Sequence, residues 1–290
     1  MKPSAKNATG VELSKVENHY AQKDLEGAIL RALAEAGKDP DHLEPEDLAP
    51  VDEFHVRGRK ATLELARRFP LDATMHILDV GSGLGGPSRV LAQEFGCRVT
   101  GLDLSAEYCR VAAMLCRRLR IDGQVSYRHG NALDMPFEDA AFDVAWTQHA
   151  AMNIPDKAGL YREIWRVLKP GGRLGIYDIC AGEGGQVHFP VPWAREPSLS
   201  FLAAPARMRE ILEEIGFEIE SWRDTTEEGR FWFRRVGEKM RRERPAHLGL
   251  HLLMGADFGT MAQNQTRNLE EDRIALIEAV VRRPEDARTG

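Results

Sequence analysis

"ILDVGSGLGG", residues 77–86, is a short apolar run, interrupted by Asp79, that breaks into a turn with glycine at four of its last six positions. A strand that enters such a turn and continues into a helix presents backbone N–H groups at the helix N-terminus. Glycine also removes the Cβ that would block a ligand there. The stretch contains G-x-G-x-x-G, which many α/β proteins also use as a tight turn without a ligand. The rest of the chain must therefore identify the ligand.

Strand and helix patterns alternate on either side of this turn, which predicts a doubly wound α/β fold with a parallel sheet. Apolar runs predict strands at 76–80, 98–103, 125–129, 142–147, 173–179, 217–224 and 273–283. Helical periodicity marks 16–36, 59–69, 87–95, 105–119, 157–168 and 205–215, and 226–270 is mostly helical. We expect residues 1 to about 15 to be disordered.

The same patterns suggest how the chain is divided. Residues 1–58 form a tail and a helical cap, and residues 59–283 form the main domain. Within that domain, 181–204 is a predicted substrate lid loop and 226–270 a helical insertion before the last strand.

Composition excludes several classes of function. The 290 residues are 43% hydrophobic with a net charge of −6, and no polybasic block predicts a nucleic-acid partner. The four cysteines lack C-x-x-C spacing, so we expect neither a metal nor a disulfide framework. No apolar run is long enough for a membrane helix, and the polar N-terminus predicts a cytoplasmic protein that does not bind membranes.

Asp103 ends the second predicted strand, about 20 residues after the glycine turn, where dinucleotide folds place an acidic residue on a ribose. The alternative is that Asp103 caps the next helix, a role for which Ser105 competes. After the third strand, Asn131, Ala132 and Leu133 offer an amide and apolar surface that suit an adenine edge. These residues leave NAD and other adenosine ligands open.

The ordered set "ILDVGSGLGG", "VTGLDLS", "GNALDMPF", "FDVAWTQHAAMNI" and "YREIWRVLKPGGRLGIYD" resembles the motifs of class I S-adenosylmethionine-dependent methyltransferases over residues 75–180. The resemblance implies a Rossmann-like seven-stranded sheet whose last strand is antiparallel and inserted beside the sixth. It implies S-adenosylmethionine as cofactor, S-adenosylhomocysteine as product, and no metal. The cofactor-binding positions that match are Asp79, Gly81, Ser82 and Gly83 for methionine, Asp103 and Leu104 for ribose and adenine, Asn131, Ala132 and Leu133 for adenine, and the Gln148 backbone for methionine.

A looser resemblance, in "PVDEFHVRG", "HAAMNIPDK" and "VPWAREPSLSFL", is to the sarcosine/dimethylglycine methyltransferase-like branch. It implies methyl transfer to the nitrogen of a small amine or amino acid. The alternative is C- or O-methylation of another small metabolite. Outside this class stand an NAD-dependent oxidoreductase and a non-catalytic adenosyl-binding module, and a homodimer is left open.

For several residues near the predicted acceptor, the sequence leaves two possible roles open. His149 is the candidate base or orienting group, or a histidine that only shapes the pocket; Asn153 is a candidate substrate ligand or a turn cap. In the lid, Trp193 could face a methylated ammonium and Arg195 a substrate carboxylate, or Trp193 packs and Arg195 is solvated. Phe54 and His55 either touch the cofactor or, for Phe54, anchor the helix.

Overall fold

The computed structural model describes residues 24–242 and 247–285, and these residues contain one seven-stranded sheet. The strands are β1 His76–Val80, β2 Arg98–Asp103, β3 Val125–His129, β4 Phe142–Gln148, β5 Leu168–Ala181, β6 Glu218–Asp224 and β7 Ile274–Arg282. Their order is β3-β2-β1-β4-β5-β7-β6, and β7 runs antiparallel to both of its neighbours. This confirms the predicted α/β fold with its inserted antiparallel last strand.

Helices cover the sheet and its carboxyl edge. They are α1 Leu25–Glu35, α2 Pro45–Asp52, α3 Arg59–Ala66, α4 Gly86–Phe95, α5 Ala106–Arg118, α6 Lys157–Val167, α7 Pro205–Ile215, α8 Thr226–Arg242, α9 His251–Met254 and α10 Phe258–Glu270. The predicted disordered tail and the first part of the predicted helix 16–36 lie outside the described residues. Among the residues that are described, no helix is both long and apolar enough to cross a bilayer.

Two elements differ from the sequence-based prediction. Helix α2 was not predicted as a separate element within the cap, where the sequence is polar and contains Pro40, Pro45 and Pro50. Pro45 instead occupies the first turn, where its missing N–H costs nothing, and Glu44 and Asp47 form a capping box. Strand β5 starts five residues before the predicted strand, because Leu168 pairs with Phe142 ahead of a register shift in β4. In both cases specific partners decide where the element begins: the capping box starts α2 at Pro45, and the pairing with Phe142 extends β5 back to Leu168.

The N-terminal cap is fixed to the glycine turn by a buried ion pair. The Asp52 carboxylate at the end of α2 lies 2.5 Å from the Arg89 guanidinium of α4, and both side chains are buried. A Cβ on Gly86 would lie 2.4 Å from the Asp52 carbonyl oxygen, so glycine permits this close approach. The contact holds residues 53–58 over the carboxyl edge of the sheet, where ligands bind in open α/β folds.

Candidate active site

A cavity of about 150 Å³, here called the glycine-loop cavity, lies at the carboxyl ends of β1, β2 and β4. Its walls come from the turns that follow these strands and β3. The lining residues are Phe54, Val80, Gly81, Gly83, Leu102, Asp103, Leu104, Ser105, Tyr108, Gly130, Asn131, Ala132, Leu133, His149, Ala150, Asn153, Ile154 and Pro155. Seven of the ten predicted cofactor residues are among them.

The two first glycines of the turn have different tasks. Gly81 has φ 77°, and a Cβ there would lie 2.4 Å from the Cβ of Ala150. Gly83 has φ 53°, and a Cβ there would have no heavy atom within 4 Å. Gly81 therefore lets the turns after β1 and β4 approach each other, whereas Gly83 leaves open space in the cavity wall.

Asp103 fixes the backbone around the carboxyl end of β2 by two hydrogen bonds. Its Oδ2 accepts a hydrogen bond from the Gly83 N–H at 2.8 Å, and its Oδ1 accepts one from the Ser105 N–H, also at 2.8 Å. The Ser105 hydroxyl is the cap of α5, since it accepts from the Tyr108 N–H at 3.2 Å. Burial raises the pKa of Asp103 despite these bonds. Each carboxylate oxygen keeps a further lone pair that a ligand hydroxyl could use.

The turn after β3 is held in shape by its own amide. The Asn131 Oδ1 accepts from the Leu133 N–H at 2.9 Å, which folds the turn back on itself. Asn131, Ala132, Leu133 and Leu104 all line the glycine-loop cavity. The mainly apolar surface of this wall suits a flat ring, as the sequence predicted.

Three predicted cofactor residues, Asp79, Ser82 and Gln148, do not line the cavity. The Asp79 Oδ2 accepts from the Ser88 hydroxyl at 2.6 Å, and burial raises the pKa of Asp79 to about 7. The Gln148 Oε1 accepts from the Trp146 indole at 2.7 Å, while Ser82 is buried beneath the turn. Asp79 and Gln148 support neighbouring elements from below, so any contact with a ligand would be through the backbone or after a shift.

A second and larger cavity, the aromatic chamber, encloses about 760 Å³, within the range typical of sites for drug-sized ligands. It lies between residues 54–56, the lid and the helical insertion, and Phe54 and His149 line both cavities. Its apolar walls include Val56, Met152, Ile179, Trp193, Trp232, Phe233, Val236, Leu250, Met254, Phe258 and Ala262. The two cavities therefore meet at Phe54 and His149.

His149 follows β4 in an unusual backbone conformation, with φ 51°. Its N–H donates to the Tyr177 carbonyl at 2.8 Å, and its ring centroid lies 5.1 Å from that of Tyr177. Its Nε2 is buried and has no hydrogen-bond partner among the described residues. Burial, and secondarily the His55 ring, hold the pKa of His149 well below its usual range. The imidazole is therefore neutral at physiological pH.

His55 lines the aromatic chamber and does not line the glycine-loop cavity, whereas Phe54 lines both. The His55 Nε2 lies 3.1 Å from both the Gly58 carbonyl oxygen and the Thr62 hydroxyl. Burial lowers the pKa of His55 to about 4, so this imidazole is also neutral. Phe54 lies at the junction of the two cavities and also packs against the core cluster that contains Leu48 and Val51 of α2, so its position is compatible with both predicted roles.

Asn153, Trp193 and Arg195 all bond to other groups of the protein. The Asn153 Nδ2 donates to the Trp193 carbonyl at 2.7 Å and to the Leu199 carbonyl at 3.0 Å, which ties the turn after β4 to the lid. Trp193 is buried in the chamber wall, and its indole donates to the Ser200 hydroxyl at 2.9 Å. Arg195 lies outside both cavities and pairs with Asp257. This geometry gives Arg195 no contact with the chamber.

The far side of the chamber is built by residues that sequence reasoning did not single out. Helices α8 to α10 supply Trp232, Phe233, Met254 and Phe258. The "FWF" run at 231–233 was the available signal, since three consecutive aromatics on a surface helix are unusual. Phe231 is 58% exposed, while Trp232 and Phe233 turn towards the chamber.

A family model described as "Methyltransferase domain" matches residues 78–176, the segment that forms β1 to β5 and most of the glycine-loop cavity. A relative named O-methyltransferase resE, from Aspergillus sclerotiorum, is 33% identical over 184 residues, covering 62% of this chain and 68% of that protein. The chain belongs to the class I S-adenosylmethionine-dependent methyltransferases. The enzyme identity and the cofactor predicted from the sequence are confirmed.

Other relatives differ in the atom they methylate. The glycine/sarcosine/dimethylglycine N-methyltransferase of Actinopolyspora halophila is 28% identical, over 61% of this chain and 32% of that protein. The fold matches geranyl diphosphate C-methyltransferase from Streptomyces coelicolor A3(2) with TM-score 0.69 at 18% identity, over 94% of this chain and 98% of that one. The matched segments span only 30% to 68% of the lengths of the curated relatives. These proteins are all methyltransferases by name, and they differ in the atom that accepts the methyl group.

The residues present fit the cofactor. Gly83 leaves open space where a Cβ would otherwise stand, and the Asp103 carboxylate and an apolar ring-sized wall border the same cavity. The part of the chain that the structure describes contains no group of three or more His, Cys, Asp or Glu side chains placed to hold a metal.

Proposed function

We propose that this methyltransferase acts on carbon or oxygen of a mainly apolar small molecule that binds in the aromatic chamber. The observation that carries the proposal is the junction: the large chamber meets the glycine-loop cavity at Phe54 and His149. An acceptor in the chamber therefore faces a cofactor in the glycine-loop cavity. Predicted N-methylation of a small amine remains the alternative.

The cofactor would be held by the residues that the sequence identified and the cavity brings together. Gly81 and Gly83 border the methionine end, Asp103 would accept from the ribose hydroxyls, and Asn131 to Leu133 would flank the adenine. Bound S-adenosylmethionine supplies an already activated methyl group on its sulfonium. The protein's remaining tasks are alignment and exclusion of water.

The character of the chamber favours an apolar acceptor. Apolar side chains make up more than half of its lining residues, and tryptophan, phenylalanine and methionine are prominent among them. The charged lining residues, Arg234, Glu238, Arg267 and Glu270, are all exposed positions and so belong to the rim. A substrate carboxylate would therefore find no buried cation among the described wall residues, and Arg195 is engaged with Asp257.

His149 would act at the junction. Its neutral imidazole can accept a hydrogen bond from an acceptor hydroxyl at Nε2, the buried atom that has no partner among the described residues. Because burial makes this imidazole a weak base, it would take the proton as the methyl group is transferred, when the hydroxyl becomes strongly acidic, and not before. Phe54 would close the opposite side of the junction and keep water from the methyl group. For a carbon acceptor, the same imidazole would remove the proton released after the methyl group is transferred.

The test is transfer of tritiated methyl groups from S-adenosylmethionine to a panel of phenols, isoprenoid alcohols, sterols, sarcosine and dimethylglycine. We expect transfer to apolar members of the panel. His149→Ala should reduce kcat about 100-fold, as for loss of a general base, while S-adenosylhomocysteine affinity stays within about threefold.

A chamber-filling variant separates the two candidate functions. Ala262→Phe narrows the chamber and should raise KM for an apolar acceptor, whereas Phe231→Ala removes an exposed ring outside the cavity and serves as control. Efficient transfer to sarcosine or dimethylglycine alone, unaffected by Ala262→Phe, would reject the apolar acceptor.

A further inference from the structure

Three of the four amide side chains of helix α10 are buried or partly buried, and these three differ in their partners. Asn268 is fully buried and forms two bonds with the His188 backbone, accepting from its N–H at 2.8 Å and donating to its carbonyl at 3.0 Å. Asn264 donates to the Pro190 carbonyl at 3.0 Å. These two amides attach the lid to α10.

Gln265 lies between them and does not contact the lid backbone in this way. It is 2% exposed and lines the aromatic chamber. Its Oε1 is buried and has no hydrogen-bond partner among the described residues. A buried carbonyl oxygen without a partner destabilises the folded protein, so such an atom in a cavity wall calls for a partner from the cavity.

The neighbours of Gln265 on α10 are held in place by hydrogen bonds and by burial. Asn264 and Asn268 fix the same helix to residues 188–190 and thereby hold the backbone from which the Gln265 side chain extends. Met261 and Leu269, one turn away on either side, are fully buried and apolar. Gln265 is therefore the buried polar residue of α10 at the chamber, whereas the other polar residues by which this helix lines it are exposed or partly exposed.

We propose that Gln265 is a specificity-determining residue that binds a hydroxyl or N–H group of the acceptor, at a position away from the atom that is methylated. The inference rests on the proposed function, since it takes the chamber as the acceptor site. Two buried polar atoms without a partner among the described residues then border the chamber: His149 Nε2 at the junction and Gln265 Oε1 on α10. An acceptor with one polar group at each of these atoms is held in a single orientation, which selects the atom that receives the methyl group.

The test uses 2-naphthol and the set of dihydroxynaphthalene isomers, which share one apolar frame and differ in a second hydroxyl. Their dissociation constants are measured by titration calorimetry on the full chain saturated with S-adenosylhomocysteine. We expect at least one dihydroxy isomer to bind the unmodified protein about tenfold more tightly than 2-naphthol, as for one added hydrogen bond to a buried group.

Gln265→Met keeps the length of the side chain and removes the amide. In this variant the preference for the second hydroxyl should fall to within about twofold, and 2-naphthol itself should bind at least as tightly as before. The melting temperature should not fall, because the side chain has no hydrogen bond to lose among the residues that the structure describes. Gln263→Met is the matched control, since Gln263 lines the same chamber from an exposed position on the same helix.

Gln265→Glu provides a second variant in case Gln265→Met fails to fold, because it keeps an oxygen acceptor and should retain the preference. The inference is wrong if no isomer binds more tightly than 2-naphthol, or if Gln265→Met keeps the preference. A different result rejects the proposed function instead: naphthols that fail to bind the S-adenosylhomocysteine complex, or that compete with it, do not occupy an adjoining acceptor site.

Discussion

The two cavities share Phe54 and His149 but are built in different ways. The glycine-loop cavity is formed mainly by turns between residues 80 and 155, each directly after a strand of one parallel sheet. The aromatic chamber is formed by residues 54–56, the lid and helices α8 to α10, which are far apart in the chain. The first is a property of the sheet, and the second exists only where separate segments pack together.

The polar atoms that border the two cavities also differ in whether they have hydrogen-bond partners within the protein. Around the glycine-loop cavity, the carboxylate of Asp103 and the amide of Asn131 accept hydrogen bonds from nearby backbone N–H groups. In the chamber wall, His149 Nε2 and Gln265 Oε1 have no partner among the described residues. Asp103 and Asn131 use their side chains to hold the loops of the first cavity. The two atoms of the second cavity remain available to hydrogen-bond a ligand.

The largest expected effect comes from Gly81→Val. A branched side chain at φ 77° would meet the Ala150 Cβ, so the turns after β1 and β4 would separate and cofactor binding would be abolished. Titration calorimetry with S-adenosylhomocysteine should detect no binding. Gly123→Val is the control, because a Cβ at Gly123 meets nothing within 4 Å. Full affinity in Gly81→Val would break the link between this turn and the cofactor.

Asp79→Asn tests the buried support beneath the turn through pH. Burial raises the pKa of Asp79 from 3.8 to about 7, so the stabilising contribution of the protonated form is complete below pH 4 and is lost as pH rises towards 7. Urea unfolding should show the unmodified protein losing up to about 4 kcal/mol relative to the variant over this range. A difference that is constant with pH would mean that the pKa of Asp79 is not raised in the folded protein.

Asn268→Leu tests the attachment of the lid to the chamber. The substitution removes both bonds to the His188 backbone and leaves those backbone groups without their partner, so the free energy of unfolding should fall by about 3 kcal/mol. Urea unfolding measures this, with Gln263→Leu on the exposed face as control. S-adenosylhomocysteine affinity should change little, and a large loss would show that the two cavities are more strongly coupled than their walls suggest.

Asp103→Ala is expected to have the smallest effect, a loss of about 1–3 kcal/mol in S-adenosylhomocysteine binding, as for a charge-assisted hydrogen bond. Calorimetry measures the change, and Asp122→Ala, an exposed aspartate in a loop, serves as control. If affinity were unchanged, the carboxylate would serve only the Gly83 and Ser105 N–H groups, and the predicted ribose contact would be wrong.

The sequence could predict those parts of the site whose residues lie at, or directly after, the carboxyl end of a strand. Asp103 ends a strand, and Gly83 and Asn131 each follow one. Because the carboxyl ends of parallel strands meet at one edge of the sheet, the convergence of these residues follows from the pattern. Helix α2 was missed because Pro45 breaks a helix or begins one according to its neighbours. The substrate role predicted for Arg195 depended on the direction of an irregular loop, and the structure directs that side chain to Asp257 instead.

The sequence by itself determined the α/β fold, the glycine turn, the cofactor class and the methyltransferase family, because each depends on local periodicity and on motifs in a set order. Only the tertiary structure decided that Phe54 and His149 join two cavities, that Gln265 enters the chamber while Asn264 and Asn268 face the lid, and that the chamber is large and mainly apolar. These features arise from packing between segments far apart in the chain, and no local pattern encodes which side chains of α8 to α10 meet the residues around position 54.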